Sequence, residues 1–212
     1  MRQPWARLLA GYGVAPAPAE RVLDQLRAAY AEPQRHYHNL EHIAEMLAVA
    51  ARLAELTHDR PALQVAIWFH DAVYDPKAKD NEERSAELVV QLLGPLGVPS
   101  QTLDRVVTMI RATQHTGAEP DDPDIAVLLD ADLAILGAEE TRYAAYASAI
   151  RKEYAWVDEA AYRAGRAAVL KSFLKRPRIY TTAPMFGSTE EAARRNMRAE
   201  ISRLTLEGEG PK

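Results

Sequence analysis

Apolar positions recur at helical spacing along nearly the whole chain, and no segment shows the two-residue alternation of a strand. Residues 2–12 predict a short helix carrying Trp5, Leu8 and Leu9, stopped by Gly11 and Gly13. Val22, Leu23, Leu26 and Tyr30 line a second helix, which Pro18 can open and Pro33 breaks. Asn39 reads as the N-cap of a long helix to about residue 56, with Ile43, Met46, Leu47, Ala50, Leu53 and Ala54 on its core face. Pro61 opens the next, which carries Val65, Ala66, Trp68 and Phe69 and which Asp75-Pro76 ends. Asp80 and Glu83 predict a capping box for a helix through residue 93, closed by Gly94-Pro95 and Gly97. Ser100 is expected to cap a helix with Leu103, Val106, Val107 and Ile110 that finishes near Gln114-His115, before a polar loop over 116–123. Asp124 begins a helix holding Val127, Leu128, Leu129, Leu133 and Leu136, with Gly137 as its C-cap. Two further helices are expected over 139–156 and 158–175. Ser188-Thr189-Glu190-Glu191 reads as a second capping box leading a last helix to about residue 206, and 207–212 is expected to fray.

These elements predict an all-α fold, a single compact domain of eight or nine helices over residues 1–206. No boundary divides it, although 138–206 can be read as a helical extension of what precedes. The length of 212 residues, 48% of them hydrophobic, is enough for one sizeable core. With 26 basic and 30 acidic side chains the net charge is -4, which leaves no basic footprint for nucleic acid. The chain has no cysteine, which excludes disulfides, a thiolate nucleophile and a zinc–thiolate site. No apolar run long enough to cross a membrane occurs, and the first residues lack a signal-peptide apolar region. A soluble cytoplasmic protein is expected.

Candidate chemistry sits at the end of the most apolar stretch, Ile67-Trp68-Phe69-His70-Asp71-Ala72-Val73-Tyr74. Burying an imidazole and a carboxylate side by side demands a compensating partner, and the two are natural ligands for a divalent metal. Upstream, His42 shares a helical stripe with Met46, Val49 and Leu53 and so points partly inward. Downstream lie Asp130 and Asp132, about 200° apart around a helix, so only one can face a buried site squarely. His42, His70, Asp71 and Asp132 can together supply two imidazoles and two carboxylates, leaving positions open for water. His38, one turn before His42, can protonate a leaving oxygen or bind phosphate. Arg35 and His115 are candidate substrate contacts, with His115 alternatively a second-metal ligand or a helix-end histidine. His36 and His58 read as solvated, Glu83 as a cap that can also reach an attacking water, and Lys77, Lys79 and Arg84 as a charged loop able to attract an anion.

The ordered series of His, His-Asp and Asp resembles the HD-domain superfamily of metal-dependent phosphohydrolases. Tyr37-His38-Asn39-Leu40-Glu41-His42 resembles the Y-H-N-x-x-H segment of its cyclic-nucleotide phosphodiesterases, and Leu129-Asp130-Ala131-Asp132-Leu133 the D-x-D segment of its nucleotide-cleaving members. The likeness covers roughly residues 35–136. It implies an HD-type helical fold, His38 as general acid and His42 as metal ligand. It also implies His70-Asp71 as the defining pair, with Asp71 both ligand and catalytic, and Asp132 rather than Asp130 on the metal. The cofactor implied is a divalent ion (Mn, Mg, Co, Zn or Fe). The activity implied is hydrolysis of a small phosphorylated molecule, a nucleotide first. The region after 138, with Arg151-Lys152-Glu153-Tyr154, Gly165-Arg166 and Arg178-Ile179-Tyr180, is similar to a bacterial branch of unassigned substrate. The glutamine-bearing purine pocket of the phosphodiesterases is missing. A nucleotide-binding regulatory domain without catalysis, and an iron oxygenase on the same scaffold, are the competing expectations.

Overall fold

In a computed structural model, which describes residues 2–115 and 120–206, the most buried helix is α4 (Arg60–Phe69). Seven of its ten residues are buried, from Ala62 to Phe69, so it can only be a central element. Packed against it are α3 (Leu40–Arg52), α5 (Asn81–Leu93), α6 (Ser100–Ala112) and α7 (Pro123–Asp132). Near its C-terminal end lie α1 (Arg2–Ala10) and α2 (Pro16–Tyr30). Trp5 meets Trp68 edge-on at 5.4 Å between ring centroids, and the Tyr30 hydroxyl donates to the Trp68 carbonyl at 3.0 Å. The chain then runs through a 3₁₀ turn (Leu133–Gly137) into α8 (Glu140–Glu153), α9 (Glu159–Leu174) and α10 (Ala183–Leu206). One hydrophobic cluster reaches from Trp5 to Met197 and joins both halves of the chain.

The fold is all-α: ten α-helices and no strand among the described residues. No described helix is long and apolar enough to cross a membrane. Residues 116–119 of the expected polar loop and the 207–212 tail lie outside the described residues.

Several local expectations are corrected, and for Glu83, Asp124 and Glu190 a tertiary partner outweighs the local pattern. The helix that was to run to Asp75 stops at Phe69, so His70 and Asp71 stand on the turn after it. Asp80 makes no side-chain cap, and Glu83 instead pairs with Arg111 on α6 at 2.6 and 2.8 Å. Ser100 starts α6 without a side-chain cap. Asp122, not Asp124, caps α7, while buried Asp124 accepts the His58 and Asp59 amides at 2.8 and 3.0 Å. Ser188-Thr189-Glu190-Glu191 lies inside α10, which Ala183-Pro184 has already opened. The Glu190 carboxylate accepts the Ile179 and Tyr180 amides instead.

Gly137 ends the 3₁₀ turn in an ordinary backbone conformation, and its role is close packing. A Cβ there would collide with Thr189 Cγ2 and come within 2.9 Å of the Thr189 carbonyl oxygen. Gly137→Ala is expected to lower stability by about 1–3 kcal/mol, read as a fall in melting temperature.

Candidate metal centre

Three helices deliver the site. Asn39 accepts the Glu41 amide at 2.8 Å and fixes the start of α3, which aims His42 inward at 2% exposure. The turn after α4 holds His70, whose Nδ1–H donates to the Ile67 carbonyl at 3.0 Å. That bond leaves Nε2 as the nitrogen turned to the site. His42 Nε2 lies 3.3 Å from His70 Nε2 and 3.2 Å from Asp132 Oδ1 at the end of α7. Ligands about 2.1 Å from one ion sit roughly 3.0–3.4 Å apart at right or tetrahedral angles. Two of the three separations fall in that range and the third, His70 Nε2 to Asp132 Oδ1, is wider at 3.8 Å, so His42, His70 and Asp132 form a group that can hold a metal ion. Asp71 stands beside them, Oδ2 being 3.0 Å from His70 Nε2 and 4.0 Å from His42 Nε2.

Asp130 is directed away, as the helical phase requires. Its carboxylate is buried and accepts the Thr181 amide at 2.7 Å, the Thr182 amide at 2.8 Å and the Thr182 hydroxyl at 2.6 Å. Burial pushes its pKa up against those three bonds.

Charge at the centre is strongly coupled. Burial alone would lower the His70 pKa, but the adjacent Asp71 and Asp132 carboxylates raise it to about 9. Burial likewise opposes ionisation of Asp71, and His70 beside it holds the carboxyl well below its usual range. Asp132 is also held down, through its bonds to His115 and His42 and against its burial. Without a metal the carboxylates and imidazoles thus compensate one another, and a bound cation would displace the His70 proton.

His115 joins this group by way of Asp132, its Nε2 being 2.7 Å from Asp132 Oδ2. It has left-handed backbone (φ 52°), a strained state for a residue with a Cβ, and Arg176 donates to its carbonyl at 2.6 Å.

His38 sits next to the centre and not in it, its ring centroid 6.1 Å from that of His42. A residue that sequence reasoning missed holds it there. Glu153, buried at the end of α8, places Oε2 at 2.6 Å from His38 Nδ1. The same oxygen accepts the Tyr74 hydroxyl at 2.9 Å, and Oε1 accepts the amides of His36, Tyr37 and His38. Despite burial, His38 and these amides lower the Glu153 pKa to about 2, and Glu153 in turn lifts that of His38 against its own burial. The signal was available: Tyr143, Tyr146, Ile150 and Glu153 are the buried positions of α8, so the glutamate continues an apolar stripe.

Arg35 does not face the site. Its side chain is 1% exposed, and its guanidinium donates to the Asp71 carbonyl at 2.6 Å, the Ala72 carbonyl at 3.1 Å and Glu32 Oε2 at 3.0 Å. The expected phosphate contact is corrected to a clamp joining the His38 segment to the His-Asp turn. Arg35→Lys loses the planar fork and should cost about 2 kcal/mol of stability. A phosphate contact would instead raise KM in a protein of unchanged melting temperature. His36 and His58 are exposed. Lys77 rests its ammonium over the Trp156 ring at 5.2 Å, and Lys79 and Arg84 are exposed.

A cavity of about 480 Å³ opens beside the centre, with His38, His115 and Asp132 at its wall and α8 and α9 supplying most of the rest. Together the helices and this centre define an all-α protein with a buried two-histidine, one-carboxylate group at the edge of a cavity. No family model matches the chain, and no curated protein or solved structure matches it.

Proposed function

We propose that the protein is a metal-dependent phosphohydrolase of the HD type that cleaves a phosphate ester of a small molecule. The convergence of His42 Nε2, His70 Nε2 and Asp132 Oδ1, with Asp71 alongside, is the observation that carries this reading. These four side chains would hold a divalent ion, with the Ile67 carbonyl orienting His70 and His115 orienting Asp132. Such an ion, when bound, supplies an acidified water and polarises a phosphoryl oxygen. His38 keeps Nε2 free for the leaving oxygen because its Nδ1 is engaged by Glu153. The carboxylate favours the protonated imidazole, which is the form a general acid needs.

The resemblance puts nucleotides first among the esters to try, and the reading places the protein in the cytoplasm with no nucleic-acid or membrane partner. The test is a phosphate-release screen of nucleoside mono-, di- and triphosphates and simple phosphate monoesters with Mn²⁺, Mg²⁺, Co²⁺ and Zn²⁺. Metal-dependent release that chelation abolishes is expected. A protein that binds one of these metals tightly and releases phosphate from no ester would overturn the hydrolase reading. His115 at the carboxylate supports an iron oxygenase as the second reading, since that chemistry uses more histidines. Ferrous iron retained through purification, with oxygen consumption, would select it. A non-catalytic domain would be expected to have lost a ligand, whereas here His42, His70 and Asp132 converge and Asp71 is beside His70.

A further inference from the structure

The cavity beside the metal group is unlike a nucleotide site. Its volume of about 480 Å³ suits a small organic molecule, yet its walls are largely apolar, with Ile150, Val157, Leu170 and Phe173 among them. Among the described lining residues the only charge-bearing side chains are His38, His115 and Asp132, which adjoin the metal group, and Arg166. Arg166 is already engaged: Nε and Nη2 donate to Glu200 at 2.8 and 3.2 Å, and the guanidinium lies over the Tyr146 ring at 5.2 Å. No uncommitted cation lines the described cavity to meet a polyphosphate, and no side-chain amide lines it to pair with a base edge.

One further feature of the wall keeps the space open. Gly165 sits in the middle of α9, where glycine costs about 1 kcal/mol against alanine. A Cβ there would meet nothing within 4 Å, so packing does not require the glycine, which is exposed and lines the cavity.

We infer that this cavity binds the apolar body, alkyl or aryl, of a small molecule whose single polar head lies at the metal group. The inference rests on the phosphohydrolase reading for the nature of that head, a phosphate monoester, and departs from a nucleotide for the rest of the molecule. Val157, Leu170 and Phe173 would cover the body, and discrimination would come from apolar burial, where each methylene adds a modest factor.

The test has a binding arm and a turnover arm, both on the full chain. In the first, 2-naphthol is titrated into metal-free protein and followed by its own fluorescence. Saturable one-to-one binding is expected, weakened at least about tenfold by Gly165→Phe, which fills the space, and by Val169→Asp, which charges the wall. Val169 is 48% exposed, so its variant should fold, and circular dichroism melts check both proteins. In the second arm, Mn²⁺-dependent hydrolysis of n-hexyl phosphate is compared with that of glycerol 1-phosphate, both esters of primary alcohols, of which glycerol is the better leaving group. A preference for the hexyl ester of at least about tenfold in kcat/KM is expected. Naphthol binding that is absent, or unmoved by both folded variants, overturns the inference even if esters are cleaved. Equal turnover of the two esters overturns it as well. Binding that both variants weaken, with no phosphate released from any ester, supports the apolar site and removes the phosphohydrolase reading alone.

Discussion

Asp132→Ala is expected to lose metal affinity by more than about 100-fold while keeping its fold, and Asp130→Ala to do the opposite. Outer-sphere partners alone are worth about 10–100-fold in affinity, so removing a carboxylate 3.2 Å from His42 Nε2 should exceed that. Asp130, two residues earlier, touches none of these groups and closes three hydrogen bonds from the Thr181-Thr182 segment. Truncating it strands buried donors at about 1–3 kcal/mol each, so a stability loss of roughly 3 kcal/mol or more should follow. Titration calorimetry with Mn²⁺ and urea denaturation separate the two effects. Metal retained by Asp132→Ala and lost by Asp130→Ala would reverse the assignment.

His38→Ala should keep the metal and lose turnover by about 10²–10⁴-fold, the range of a positioned general acid. The geometry supports the division of labour, because His38 is held by Glu153 while the two imidazoles facing each other at 3.3 Å are His42 and His70. The leaving group provides the control. A nitrophenyl phosphate needs little protonation, so its hydrolysis should be largely spared, while an alkyl phosphate should suffer in full. Glu153→Gln should follow the same pattern more mildly, since an amide oxygen can still accept backbone amides but does not sustain a protonated imidazole. If His38→Ala sheds its metal, or both esters lose equally, His38 is a ligand or a phosphate contact and not the acid.

How much of this was legible in the chain follows from which interactions are local. The apolar faces of α2 and α3 depend only on helical spacing, and Val22, Leu23, Leu26, Ile43 and Met46 are buried as expected. The contrast between Asp130 and Asp132 is likewise a matter of helical phase. Motifs that depend on a side chain choosing among partners fared worse. Asp80–Glu83 and Ser188–Glu191 satisfy the pattern of a cap, but Glu83 and Glu190 find an arginine or a pair of amides from elsewhere in the chain. Arg35 looked like a phosphate contact because a lone arginine carries no sign of burial. The carbonyls it clamps, those of Asp71 and Ala72, lie 36 and 37 residues away. Glu153 is 115 residues from His38, and only its place on the buried stripe of α8 marks it. The cavity was illegible for the same reason, since it is assembled from segments that meet only in the fold.

The central claim is that His42, His70 and Asp132 bind one ion between them, and anomalous scattering from a crystal grown with Mn²⁺ tests it most directly. A single strong anomalous peak is expected about 2.0–2.2 Å from both Nε2 atoms and from an Asp132 oxygen. An ordered site at saturating Mn²⁺ with no peak there, or with the ion held by other residues, would contradict the account.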